Sequence, residues 1–133
     1  MGEGIPTQQE KPMGYRSQVL LVIKKDLVPH FMAATSASPK AQALCFQEAD
    51  IFQEDYDGEG AMLFYWSEIK WYTELQYDEI DVIERFVDDC DSGASVEDSY
   101  VKFRFIKIGE EYDDITDTGN GFWDIGINRE INF

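Results

Sequence analysis

Between residues 62 and 91 the chain changes its hydrophobic period, and this change narrows the folds open to it. From Met62 to Tyr72 the side chains alternate. Leu63, Tyr65, Ile69 and Trp71 fall on one face of a strand, and Phe64, Trp66, Glu68, Lys70 and Tyr72 on the other. From Asp78 to Asp91 the spacing becomes helical. At about 100° per residue, Ile80, Val82, Ile83, Phe86, Val87 and Cys90 share one side, while Asp81, Glu84, Arg85, Asp88, Asp89 and Asp91 occupy the rest. Gly93 stands at a sensible stop. A strand followed by an amphipathic helix points to a sheet with helices packed against it.

The flanking segments extend the pattern. Val19-Leu20-Leu21-Val22-Ile23, within Ser17 to Lys24, is an apolar run rich in β-branched residues and predicts a first strand covered on both faces. Asp26 is expected to cap a helix with Pro29 in its first turn, and Ser38-Pro39 repeats the cap-then-proline signal, restarting the helix as far as about Cys45. Glu48 to Glu54, the turn around Gly58 and Gly60, and the aromatic run from Met62 read as a hairpin. Tyr100 to Ile108 alternates and then shifts phase at Ile106, which predicts a bulge there. Asp113 to Gly121 reads as a polar loop and Phe122 to Phe133 as a last strand.

The order strand, helix, strand, strand, helix, strand, with one strand more, is the split βαβ pattern. It predicts an α+β, two-layer ferredoxin-like antiparallel sheet with two helices on one side and an extra C-terminal strand. Residues 1–16, with Gly2, Gly4, Pro6, Pro12 and Gly14 and no periodicity, read as a flexible tail, leaving residues 17–133 as a single domain. Two helices cover only one sheet face, yet Val19 to Ile23 and Met62 to Tyr72 are apolar or aromatic on both. The second face is expected to be covered by the final strand and tail or by another chain.

A chain of 133 residues is the size of one domain, and 44% hydrophobic residues suffice for a core. Its charge is lopsided. Residues 1–46 carry five bases and three acids, whereas residues 47–133 carry 24 acids and six bases, so the net −16 belongs to the later part. Direct binding to nucleic acid or an anionic membrane is disfavoured, and a basic protein partner is favoured. No stretch approaches 18 apolar residues and no signal-peptide run opens the chain, so a soluble, cytoplasmic protein is expected. Cys45 and Cys90 read as buried thiols of a reducing compartment.

Catalytic chemistry has little support. The lone His30 follows Pro29 in the first turn of a helix, where a surface or cap role is commonest. Cys90 lies on an apolar stripe, and Gly58-Glu59-Gly60 and Gly119-Asn120-Gly121 are flanked by acids that repel phosphate. Calcium loops registered on Gly58, Gly93 or Gly119 end in Phe64, Ser99 or Ile125 where Glu is required, and two cysteines with one distant histidine do not make a zinc site. No metal and no cofactor is implied. Aromatic residues on such a sheet could stack bases, but Lys70, Lys102 and Arg104 are too few among the acids to meet phosphates.

The acidity itself remains. It gathers in Glu48, Asp50, Glu54, Asp55, Asp57 and Glu59, in the helix from Asp78, in Glu97 and Asp98, and in Glu110, Glu111, Asp113, Asp114 and Asp117. Asp81, Glu84, Asp88 and Asp91 follow a 3, 4, 3 spacing, a row of carboxylates about every 5 Å over roughly 15 Å. Such a row resembles backbone phosphates. The expectation is a non-enzymatic inhibitor that enters the basic groove of a nucleic-acid-handling protein as a mimic, in concrete form a phage anti-defence (anti-restriction or anti-CRISPR) protein acting in the host cytoplasm. Its contacts are expected at Asp55, Asp57, Glu59, Asp81, Glu84, Asp88, Asp91, Glu110, Glu111, Asp113 and Asp114, with Trp66, Tyr72 or Trp123 as anchors. The alternatives are an immunity protein against a cationic toxin nuclease, and an assembly protein that self-associates, as a homodimer or larger oligomer, through the aromatic sheet face. A metal-assisted hydrolase using Asp113 and Asp114 is a third.

Overall fold

A computed structural model describes residues 14–71, 78–127 and 130–133. Its elements are β1 (Ser17–Ile23), α1 (Val28–Thr35), α2 (Pro39–Phe46), β2 (Ile51–Gln53), β3 (Met62–Ile69), α3 (Asp78–Ser92), β4 (Phe103–Gly109), β5 (Ile115–Thr118), β6 (Gly126–Ile127) and β7 (Ile131–Asn132). The architecture is mixed α+β. Five strands form one antiparallel sheet in the order β2-β3-β1-β4-β5, and β6 pairs with β7 apart from it.

Strand β1 is central, which explains its uninterrupted apolar run. Val19, Leu21 and Ile23 join Phe64, Trp66, Phe103 and Phe105 on the face beneath the helices, where Leu27, Phe31, Leu44, Ile83 and Phe86 complete the core. Leu20 and Val22 point the other way, into a second cluster with Leu63, Ile106, Phe122, Ile125 and Ile131. The segment after β5 therefore covers the second face. Two side chains pin it: Arg104 donates to the carbonyls of Phe122 and Ile125, and the Gln18 carbonyl oxygen accepts from the Ile131 N–H and the Tyr65 hydroxyl. The aromatic surface expected to serve self-association is closed within the chain.

The helix signals hold in part. Ser38 caps α2, its hydroxyl accepting from the Ala41 N–H at 3.2 Å. Asp26 caps nothing: residues 25–27 form a 3-10 turn, α1 begins from Leu27, and the Asp26 carboxylate reaches Lys102 instead at 3.5 Å. The expected restart at Ser38-Pro39 is present, so the first helical stretch is two helices, α1 and α2, separated by residues 36–38, and three helices stand where two were expected. In α3, Ile80, Ile83, Phe86, Val87 and Cys90 are buried, and Gly93 with φ 71 ends the helix in the left-handed conformation that favours glycine.

The bulge falls elsewhere than expected. Strand β4 pairs with β1 without a break, and Ile106 and Ile108 face the second cluster. The irregularity is in β3, where Ser17 pairs with Ile69 but Val19 with Trp66, so two residues, Ser67 and Glu68, oppose Gln18. One extra residue reverses the facing of every residue beyond it. Ile69 and Trp71, assigned by alternation to the face of Leu63, thus pack in the helix-side core.

Two further expectations are revised. The loop 113–121 contains β5, an edge strand paired with β4, and, of the expected last strand, residues 122–127 and 130–133 lie over the second face, with β6 and β7 paired to each other instead of adding a strand to the sheet. Of the expected tail, residues 1–13 lie outside the described residues. Tyr15 already belongs to the fold: it is 7% exposed and its hydroxyl donates to Asp114.

Candidate acidic docking surface

Register decides how the acids are distributed. Ile23 pairs with Met62 and Phe103, so the β2–β3 turn stands at one end of the sheet beside Lys24 and Lys25. Ser17 pairs with Ile69 and Gly109, so the β4–β5 turn stands at the opposite end. The seven residues of β1 separate the two acidic turns by about 20 Å. Asp55, Asp57 and Glu59 therefore do not form one patch with Glu110, Glu111, Asp113 and Asp114. Helix α3 runs along the helical side between these ends.

Among the described residues, several carboxylates accept from neutral donors. Asp55 accepts from the Gly60 N–H at 2.7 Å, and Asp57 accepts from the N–H groups of Glu59 and Ala61 at 2.8 and 3.1 Å. Asp50 accepts from both the N–H and the hydroxyl of Ser67, at 2.7 and 3.0 Å. Glu110 accepts from the Arg16 backbone N–H, Asp114 from the Tyr15 hydroxyl, both at 2.6 Å, and Asp78 from the Ser38 hydroxyl at 2.9 Å. A neutral donor fixes the position of an anion without cancelling its charge. Partial desolvation pushes the Asp57 carboxyl up, but its backbone N–H bonds and the nearby Lys24 charge outweigh this and hold it below the usual 3.8.

The row on α3 is only half available. Asp81 forms an ion pair with Arg85 at 2.8 Å, four residues on, and Glu84 accepts from the Trp71 indole N–H at 2.8 Å. Asp88 and Asp91 are exposed. A further ion pair among the described residues joins Asp117 to Arg104, and Asp89 lies within hydrogen-bond distance of His30.

The three expected anchors separate. Trp66 is 2% exposed, and its indole N–H donates to the Leu44 carbonyl at 3.0 Å, so it is a core residue with its polar edge satisfied and meets no partner. Tyr72 lies outside the described residues. Trp123 is 83% exposed, and Tyr112 77%, so both present aromatic surface.

The catalytic candidates are structural in their surroundings. His30 Nε2 lies 2.7 Å from Asp89, and its ring is 5.4 Å from that of Phe86, joining α1 to α3. Burial pushes the Cys45 and Cys90 thiols up to about 12, with the Asp89 charge adding to the effect at Cys90. Among the described residues no group of three His, Cys, Asp or Glu side chains is arranged to hold a metal, and no helix is long and apolar enough to cross a membrane.

Sequence reasoning missed the tethers. Tyr15 to Asp114, Arg16 to Glu110, Ser67 to Asp50 and Ser38 to Asp78 join positions 17 to 99 apart, and no spacing rule reports such pairs. No family model, curated protein or solved structure matches the chain.

Proposed function

We propose that this protein is a non-enzymatic inhibitor that docks its acidic surface against a basic, nucleic-acid-handling protein and so excludes that protein's substrate, as a phage anti-defence protein does. One observation carries the reading. Carboxylates at Asp50, Asp55, Asp57 and Glu110 are held in place by N–H and O–H groups that leave their charge intact. An anion already ordered loses little further freedom when a cation meets it, so preorganisation favours binding over mere solubility. The 24 acids against six bases of residues 47–133 supply the field that steers such an encounter.

The geometry favours more than one docking point, since the acidic turns occupy opposite ends of the sheet. Asp88 and Asp91 on α3 support the phosphate-like part of the reading, with Trp123 as the exposed aromatic anchor. The strand order β2-β3-β1-β4-β5, with helices on one face, supports a ferredoxin-like split βαβ scaffold extended by β5.

Binding to a basic nucleic-acid-binding enzyme, measured against salt, tests the proposal. Affinity should fall by one to several orders of magnitude between about 50 and 500 mM salt, and the partner's nucleic acid should compete. Affinity indifferent to salt excludes it.

A further inference from the structure

We propose that a groove at the start of α3 receives one long basic side chain, lysine or arginine, of the partner protein; this rests on the docking reading above and names a point on that surface. The groove encloses about 320 Å³ between α2, α3 and the end of β3. That is the lower limit of small-molecule sites, about 300–1,000 Å³, and it suits an extended side chain better than a nucleotide.

Its floor is apolar, formed by Leu44, Trp66, Ile69 and Ile80. Ile69 reaches the floor because of the β3 bulge, which turns it to the helix side. Four carboxylates, Glu48, Asp50, Glu68 and Glu79, line the rim against two cations, Arg16 and Lys70, an excess of two negative charges. Asp50 is fixed there by Ser67 without losing its charge. An apolar floor under an anionic rim complements a side chain whose aliphatic stem packs below while its charged head stays at the opening. A short cation fails to reach the floor, and an anion is repelled by the rim.

The test uses the full chain with two fluorescent ten-residue peptides of equal charge, one of lysine and one of 2,4-diaminobutyrate, whose stem is two carbons shorter. Anisotropy is read at low salt. The double substitution Glu48→Gln/Glu79→Gln should weaken the lysine peptide roughly tenfold and the short-stem peptide far less. The remote pair Glu97→Gln/Asp98→Asn, equal in charge, should weaken both slightly and alike. Circular dichroism confirms folding, and Glu48→Gln alone, in an exposed position, gives the same direction if Glu79 proves necessary to α3. Equal losses from the two double variants, or equal sensitivity of the two peptides, overturn the groove while leaving the docking reading intact. Absence of any peptide binding to the unaltered protein overturns both.

Discussion

Arg104 grips Asp117 with two parallel hydrogen bonds, Nε to Oδ1 at 2.6 Å and Nη2 to Oδ2 at 2.8 Å. Its remaining Nη1 spans the carbonyls of Phe122 and Ile125 at 3.1 and 3.2 Å. One guanidinium thus ties the edge strand β5 to the segment covering the second face, and the Asp117 hydrogen bond raises its already high pKa despite partial desolvation.

Arg104→Ala is expected to cost about 2 kcal/mol, because it leaves the Asp117 carboxylate and two carbonyls without their donor. Lysine keeps the charge but not the fork, so Arg104→Lys should recover only part of the loss. Urea denaturation measures the difference, and limited proteolysis should cut residues 122–133 first in Arg104→Ala. Equal stability of all three proteins contradicts this role.

The depressed Asp57 carboxyl makes a linkage prediction. Its folded value lies below the unfolded value near 3.8, so its stabilisation is fully present above that value and is lost as pH falls through the folded one. Asp57→Asn should therefore be less stable than the parent at pH 7, and the gap should close toward about pH 2. Paired denaturation curves at the two pH values check the sign.

Trp66 and Trp123 should respond oppositely to truncation. Trp66→Ala removes a core side chain and its bond to Leu44, an expected loss of about 3–5 kcal/mol. Trp123→Ala should change stability by no more than about 0.5 kcal/mol and weaken binding of a basic partner. Thermal melts and affinity measurements on both variants separate the two roles.

Cys45 and Cys90, buried with thiols at about 12, should resist a thiol-specific reagent at pH 8 in the native state. Both should react promptly in guanidinium. Fast titration of either in the folded protein places it at the surface.

Local pattern carried much of the fold. The run Val19–Ile23 announced a strand sandwiched between two layers because both of its faces are apolar, and α3 announced its buried stripe through Ile80, Ile83, Phe86, Val87 and Cys90. The features that escaped depended on partners distant in sequence. The β3 bulge is defined only by pairing with β1, so simple alternation assigned Ile69 and Trp71 to the wrong face. The phase change at Ile106 mimicked a bulge because Ile106 and Ile108 meet a second apolar layer. In the acidic surface, composition revealed the charges but not their tethers. Trp66 could not be told from Trp123 by residue type, since it is packing of the helices and Trp71 over the sheet that hides the first.

Because the layer over Leu20, Val22 and Ile106 comes from Phe122, Ile125 and Ile131, any local opening of that segment uncovers a greasy patch on the sheet. Mutual repulsion between the acidic chains then disfavours two opened copies sticking together there.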